Sequence, residues 1–347
     1  MSDKIRVIQW GMGHVGTAAI RMMLQKESIE LVGAIVSREE KSGKDIGELV
    51  GYKNIGINAS NDAEKVLKVD ADAVFLATAA SIGTEGTWDE NVRQVSSALK
   101  ASKNVVTTAG FLYPWKNHPQ MSQDLDSLAK KHGVSLLGTG ACPGFHTDFL
   151  PLALSGCMAR VDKVIVRECE DDSFVDGTLW LSTTMGFGLT PEEFEKQAAG
   201  TLAKFMVDLM SEPVHYIADG LGWELTELRP THKYFTATEP LKTVALEVAP
   251  GTICSHQFII EAFIEDNVVI SVEHSFKICP DKVKEPADGS YIRLEGRPSI
   301  ETELKGNFWP WAMLTTTAHA VNTIPVVVKA QPGLVTMPEL PLVTALK

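Results

Sequence analysis

Gly11-Met12-Gly13-His14-Val15-Gly16 carries three glycines at G-x-G-x-x-G spacing, after the β-rich Lys4-Ile5-Arg6-Val7-Ile8-Gln9-Trp10 and before the apolar-periodic run Thr17 to Lys26. Strand, glycine turn and helix in that order make a site for a pyrophosphate. Gly11 permits the tight turn, Gly13 lets the anion approach the backbone, and Gly16 lets the helix pack on the strand, while unpaired helix N–H groups favour negative charge. Gly11, Met12, Gly13, His14, Val15 and Gly16 are therefore candidate contacts of a dinucleotide. At the end of the next strand, Leu31 to Val36, an NAD-specific unit would place an acidic residue, and this chain has Ser37-Arg38. A small hydroxyl followed by a guanidinium suits a 2′-phosphate, so NADP(H) is preferred. Glu39 and Glu40 are able to reach the ribose, which leaves NAD(H) possible.

Three later apolar runs end in small residues: Ala77-Thr78-Ala79-Ala80, Thr107-Thr108-Ala109-Gly110, and Gly138-Thr139-Gly140-Ala141-Cys142-Pro143-Gly144. Such ends let nicotinamide and ribose lie against backbone at the carboxyl edge of a parallel sheet, which adds Ala77, Thr78, Ala79, Thr108, Ala109, Gly110, Cys142 and Pro143 to the candidate cofactor contacts. Hydride transfer to a carbonyl needs a proton donor, whereas transfer to an iminium needs mainly charge complementarity and a dry pocket. His146, just beyond the last glycine turn, is the first candidate, because histidine titrates near neutrality. Tyr113 is the second, through its phenol. Glu168, with Glu170 two positions on, ends a strand and is a candidate substrate contact, as are Phe111, Trp115, His319 and Asn322. Trp180, Met185, Phe187, Trp309 and Trp311 suit an apolar pocket or a core. Cys142 admits one further chemistry, a thiolate nucleophile in acylating aldehyde oxidation.

Strands and helices alternate through residue 140, which predicts a doubly wound parallel sheet. From about Asp162 the pattern becomes β-rich, with long runs at Ser255 to Phe263 and Asn267 to Ile278 around a break at Glu265-Asp266-Asn267, so an open antiparallel sheet is expected. Thr190, Pro191 and Glu193 together predict a capped helix start. Trp311 to Val328 reads as helical up to Pro325. A dinucleotide-binding domain over 1–140, completed by a helix at about 309–330, and a substrate domain over 141–308 follow from these patterns.

The chain has 347 residues, 44% hydrophobic and 22% charged, as in ordinary globular proteins. Its net charge of −12 and lack of a basic run exclude nucleic acid and an anionic membrane as natural partners. Cys142, Cys157, Cys169, Cys254 and Cys279 are scattered without C-x-x-C spacing, so neither a disulfide framework nor a zinc site is supported. The first strand starts at about Lys4 without a preceding signal-like segment, and no apolar run reaches about 18 residues, so a cytoplasmic protein is expected.

Val7-Ile-Gln-Trp-Gly-Met-Gly13, Asn104-Val-Val with Tyr113-Pro114, Gly138-Thr-Gly with Pro143-Gly-Phe145 and Leu150-Pro-Leu, Gly186-Phe-Gly-Leu-Thr-Pro-Glu-Glu-Phe194, and Ala320-Val-Asn-Thr-Ile-Pro325 with Pro332-Gly-Leu334 span nearly the whole chain. In these the sequence resembles the dihydrodipicolinate reductase-like oxidoreductases that include 2,4-diaminopentanoate dehydrogenase and the native amine dehydrogenases. The resemblance implies an N-terminal Rossmann domain, a C-terminal α+β domain on an open antiparallel sheet that often forms a homodimer, and hydride transfer between NAD(P)H and a C=N or C–N centre of a small molecule. Relatives that handle amines tend to carry a glutamate after the fifth strand, where this chain has Thr108-Ala109-Gly110-Phe111-Leu112. They usually have asparagine where it has Cys142. Amine chemistry needs a base, so the missing carboxylate keeps two other readings open: carbonyl chemistry, and a catalytically silent NADP(H)-binding sensor.

Overall fold

In the computed structural model, residues 4–79, 88–175, 179–306, 312–345 and 347 are described. Ala80, Trp309 and Trp311, named above, lie outside them. The chain divides into two compact units, Met1–Gly144 with Met313–Lys347, and Phe145–Ala312. The boundaries fall four residues beyond the expected 140/141 and 308/309 junctions. The turn after the sixth strand explains the first of these shifts. Gly144 has φ +124°, and a Cβ there would lie 2.1 Å from the Gly140 nitrogen, so the 140–144 backbone folds on itself within the first unit.

The first unit starts as β1 (Ile5–Trp10), α1 (His14–Met23), β2 (Ile29–Ile35), α2 (Ile46–Leu49), β3 (Ala59–Ser60), α3 (Ala63–Leu67), β4 (Ala73–Leu76), α4 (Asp89–Lys100), β5 (Asn104–Thr107), α5 (Pro119–His132) and β6 (Ser135–Gly138). β4 and β6 are buried along their whole length, as parallel strands covered on both faces must be. Helix ends are chemically marked. Pro119 opens α5, Lys130, Lys131 and His132 fill its last turn, and Gly133 closes it at φ +68°.

The second unit runs α6 (Phe149–Ser155), β7 (Arg160–Asp171), α7 (Pro191–Gln197), α8 (Ala199–Leu221), β8 (Glu227–Thr236), β9 (Leu241–Lys242), β10 (Glu247–Val248), β11 (Ile253–Ile264), β12 (Asn267–Lys277), β13 (Tyr291–Arg297) and β14 (Ile300–Glu303). The capping box predicted at Thr190 and Glu193 is present, with Pro191 at the first helical position. Six strands pair in the order β14-β13-β7-β12-β11-β8. All neighbours are antiparallel except β7 and β12, which run parallel. The sheet is thus mixed where a uniformly antiparallel one was expected, because β7 and β12 are joined by a long excursion through α7, α8, β8 and β11 rather than by a hairpin. Helix α8, which hydrophobic patterning left unassigned, contacts β11 and β12. It buries Leu202, Phe205, Met206, Met210, Val214 and Ile217.

The chain then returns to the first unit as α9 (Ala312–Val327) and β15 (Gly333–Leu334). Pro325 does not end α9 as expected. The proline removes one backbone donor, yet Val328 still donates to the Ile324 carbonyl at 3.1 Å. The finished sheet has the order β15-β6-β5-β4-β1-β2-β3, entirely parallel, so the order reverses between β1 and β4. That reversal opens a crevice at their carboxyl ends, where ligands bind in such sheets.

Candidate active site

Gly11 (φ +92°) and Gly16 are fixed by contact. A Cβ on Gly11 would lie 2.5 Å from the Ala77 carbonyl oxygen, and one on Gly16 would lie 2.0 Å from that of Gly11. At Gly13, by contrast, no atom lies within 4 Å of where a Cβ would be. Gly13 forms the N-cap of α1 without a side-chain hydrogen bond, and no acidic residue occupies the first turn. No side chain of the cap or carboxylate of the first turn competes for that helix end, and the cradle fits a dinucleotide pyrophosphate. Gln9 Nε2 donates to the Gly11 carbonyl at 2.7 Å, and Lys41 Nζ to the Met12 carbonyl at 2.7 Å. Lys41 was missed in the sequence. Its only signal is its position three residues past Arg38, behind two glutamates.

Around the ribose position, Ser37 and Arg38 are exposed. Glu39 accepts from Asn61 Nδ2 at 2.5 Å, and Glu40 lies 3.9 Å from Arg38. Among the strand ends, Thr78 Oγ1 donates to Gln94 and accepts from Asn91, whose amide also reaches the Ala79 carbonyl at 3.3 Å. Ala109 N donates to Thr107 Oγ1 at 3.0 Å. Gly110 has no room for a side chain, since a Cβ would sit 2.3 Å from the Trp88 ring. Phe111, expected to touch substrate, is instead 1% exposed and packs on Trp88 with ring centroids 5.5 Å apart. Its positive φ of 65° turns it into the core. Tyr113, Trp115, Cys142, His319 and Asn322 are half-buried residues of the first unit, and Pro143 is buried there. Burial lowers His319 to about 4, so it is neutral at physiological pH.

In the second unit two of the sequence candidates come together. His146 and Glu168 are both fully buried, with His146 Nδ1 3.3 Å from Glu168 Oε2. The other carboxylate oxygen, Oε1, pairs with His274 Nδ1, and His274 Nε2 lies 3.6 Å from Glu170 Oε1. Strand geometry explains the assembly. Val164, Val166, Glu168 and Glu170 alternate onto one face of β7, and in register beside them on β12 lie Ile270, Val272, His274 and Phe276. An apolar layer thus becomes acid–base machinery toward one end of the strand pair. Phe276 stacks on His274 at 4.2 Å, and Phe258 stacks on His232 at 4.2 Å along the same row. His274 was missed, because on β12 it reads as one inward position among apolar ones.

The electrostatics are unusual for a core. Burial pushes Glu168 up, but the His274 charge, with hydrogen bonds from His146 and His274, overrides it and holds the carboxyl at about 2. Burial alone would lower His274, yet Glu168 and then Glu170 and Asp172 raise it. Glu170 is pushed up to about 8 by burial, with Asp172 and Glu168 adding to it against His274. Asp172 is pushed up to about 7 by burial, against the Trp180 indole N–H. One buried ion pair thus sits beside two carboxyls that hold protons near neutrality, the pattern expected where a proton must move. His232 and His256 are different. Burial lowers them to about 4 and about 3, His256 Nε2 donates to the Met185 carbonyl at 2.7 Å, and its Nδ1 accepts from His232 Nε2 at 3.1 Å. Both are neutral and structural.

Residues 145–347 match the family model described as the 2,4-diaminopentanoate dehydrogenase C-terminal domain, and residues 5–136 match that of the dihydrodipicolinate reductase N-terminus. The chain is 28% identical to 2,4-diaminopentanoate dehydrogenase of Acetoanaerobium sticklandii, covering 99% of this chain and 95% of the relative. It is 29% identical to amine dehydrogenase of Streptomyces virginiae, over 97% and 96% of the two chains. The structure of amine dehydrogenase from Mycobacterium smegmatis superposes with a TM-score of 0.82 at 25% identity, covering 99% of this chain and 98% of that one. These relatives support neither a silent sensor nor an acylating aldehyde dehydrogenase using Cys142. Among the described residues, no helix is long and apolar enough to cross a membrane. A family match over more than half the chain, on a nucleotide cradle and a buried acid–base cluster, places the protein in the 2,4-diaminopentanoate dehydrogenase family, as an NAD(P)-dependent oxidoreductase transferring hydride to or from a C=O or C=N centre.

Proposed function

We propose that the protein is an NADP(H)-preferring amine dehydrogenase in which the buried pair His146–Glu168 performs the acid–base work that the loop 108–112 lacks a carboxylate to do. The observation that carries this reading is the Glu168 carboxylate held between two imidazoles, His146 and His274, in the interior. A buried carboxylate on one ring nitrogen fixes the tautomer and stabilises the imidazolium, which is the logic of a carboxylate-oriented base. The net conversion takes a primary amine in its ammonium form, oxidised cofactor and one water to a ketone, an ammonium ion, reduced cofactor and one proton. The nicotinamide, when bound, supplies or accepts the hydride. The chain's own residues handle the protons. His146, with Nδ1 turned to Glu168, takes the ammonium proton at Nε2 to free the amine lone pair, releases that proton toward solvent, then removes a proton from the water that adds to the iminium carbon and returns it to the departing amino group. Full burial of the pair keeps bulk water away and strengthens both interactions.

A ketone panel with NADPH tests the reading. Reduced cofactor is expected to be consumed only when ammonia is present; consumption without ammonia would make the protein a carbonyl reductase and remove the amine assignment. His146→Phe is expected to keep NADPH affinity within about twofold while losing at least ~100-fold in kcat, the scale of general acid–base catalysis. An unimpaired variant would return His146 to the core.

NADP(H) preference is supported by Ser37, Arg38 and the engagement of Glu39 with Asn61. A charge-assisted contact to phosphate is worth about 1.5–3 kcal/mol, so Arg38→Ala is expected to weaken NADPH ~10- to 100-fold and NADH less than twofold by fluorescence titration. Equal losses would sink the 2′-phosphate assignment. Of the remaining candidates, Tyr113 is proposed as a second proton donor through its phenol, with Trp115, His319 and Asn322 as substrate contacts and Cys142 and Pro143 at the nicotinamide end of the cofactor. A homodimer through the second unit's sheet is also proposed, on the exposed edge strand β8. Light scattering would read it as twice the 37.8 kDa chain mass. A cytoplasmic location completes the proposal, supported by five cysteines that are all thiols rather than disulfides.

A further inference from the structure

Beyond the His146–Glu168 pair, the same buried layer contains groups that a general base alone does not require. Glu170 follows Glu168 two residues on along the same face of β7, the buried Asp172 lies just past the end of the strand, and His274 bridges Glu168 to Glu170 from β12. The Glu168 side chain is 0% exposed, that of His274 3%, and that of Glu170 11%, so the line His146, Glu168, His274, Glu170 runs from a dry interior to a point that touches solvent. Three carboxyls and two imidazoles are costly to bury, and a wholly apolar continuation of the Val164 and Val166 row would be the inexpensive core.

We propose that His274 and Glu170 form a proton relay that carries the proton collected at His146 out to solvent, with Glu170 as its outer terminus. The proposal rests on the acid–base reading of His146 given above. The steps balance. Glu170 gives its proton to water. His274, as the imidazolium, passes its Nε2 proton to the Glu170 Oε1 just vacated. His146 takes the substrate's proton at Nε2 and passes its Nδ1 proton to Glu168 Oε2, which accepts it because His274, having given up its own proton, no longer holds Glu168 ionised. One proton enters and one leaves, no bond to carbon changes, and three half-turns reset the line: those of the Glu168 carboxyl and the His274 ring let Glu168 return its proton to His274, and that of the His146 ring turns its N–H back to Glu168. Among the described residues of the second unit it is faced by Glu168, Glu170 and Asp171 from β7, Asp172 just past the strand, His274 with its stacked Phe276 from β12, and the Trp180 indole. A Glu170 that holds its proton up to about 8 is suited to release it and take it back near neutral pH.

The test uses the full chain with 15N-labelled histidine and no substrate, together with infrared spectroscopy of carboxylic acids. In the wild type, two protonated-carboxyl bands are expected, Glu170 titrating on the alkaline side of neutrality and Asp172 nearer to it, and the His146 ring signals, assigned by their absence in His146→Phe, are expected to shift with the Glu170 midpoint. Glu170→Gln should abolish the alkaline band and the His146 shift while leaving the Asp172 band, and Glu170→Asp should retain all of them. His146 signals indifferent to Glu170→Gln would overturn the relay. In turnover, Glu170→Gln should lower kcat ~10-fold while single-turnover hydride transfer stays within about threefold, and added formate should restore part of kcat. Equal slowing of both, without rescue, would make Glu170 a packing residue. An active His146→Phe together with intact coupling would sink the amine-base reading but not the coupled line.

Discussion

Glu168→Gln is expected to lower kcat by ~100- to 10,000-fold while leaving the NADPH dissociation constant within about twofold. The isosteric amide cannot serve both imidazoles. Glu168 presents one oxygen to His146 at 3.3 Å and the other to His274, and glutamine replaces one of those acceptors by a donor. It also leaves the charge of His274 uncompensated in the interior, so a stability loss of about 3–5 kcal/mol is expected alongside. Glu168→Asp keeps the charge and separates the two effects. Its stability should recover more than its rate, because the shortened side chain cannot span both rings. The pH dependence has a defined sign. Glu168 has its folded value depressed to about 2 from the usual 4.5, so its contribution to stability is complete above about 4.5 and disappears as pH falls toward 2. Denaturant midpoints measured from pH 6 down to pH 3 should therefore fall more steeply for the wild type than for Glu168→Gln. Rates within threefold of wild type would remove Glu168 from the chemistry.

Gly16→Ala should be among the most damaging single methyls in the first unit. Gly16 lies in α1 with ordinary helical geometry, so alanine is locally favourable by propensity. The obstacle is the neighbour. The new Cβ would lie 2.0 Å from the Gly11 carbonyl oxygen and 3.0 Å from Gln9 Nε2, and neither backbone nor a hydrogen-bonded amide yields readily. The helix must move off the strand, which displaces the amides that receive the pyrophosphate. A cost of about 3 kcal/mol or more and a loss of at least ~100-fold in NADPH affinity are expected from calorimetry and titration. At Gly13, where the same methyl meets only open space in the protein, alanine should spare stability and weaken the dinucleotide alone. If the two variants behave alike, the distinction between packing glycine and ligand glycine fails.

The nucleotide-binding half was legible because its code is local. Strand, glycine turn and helix lie within consecutive residues, and the periodicity of buried parallel strands repeats through β4, β5 and β6. Partnership in the second unit was not local. Glu168 and His146 were each visible as candidates, yet nothing in the sequence indicated that β12 would lie parallel beside β7 and bring His274 against both Glu168 and Glu170. Phe111 misled for the opposite reason. Its place beside a ligand loop suggested contact, whereas a left-handed backbone turns it onto Trp88. Pro325 was read as a helix end because proline removes a donor, but one missing bond within a sixteen-residue helix is tolerated when the following turn closes.

The parallel pairing of β7 with β12 sets the order in which the protein becomes competent. Glu168 and His274 are 106 positions apart, and no hairpin can draw them together, so a large loop must close before either finds its partner. The acid–base line therefore has no local precursor in the unfolded chain. Its formation marks the completion of the second unit's sheet, while the glycine turn is held against Ala77, 66 positions away, by a shorter closure. During refolding, recovery of turnover reports this long-range closure, and a chain arrested before it has the means to recognise a nucleotide without the means to move a proton.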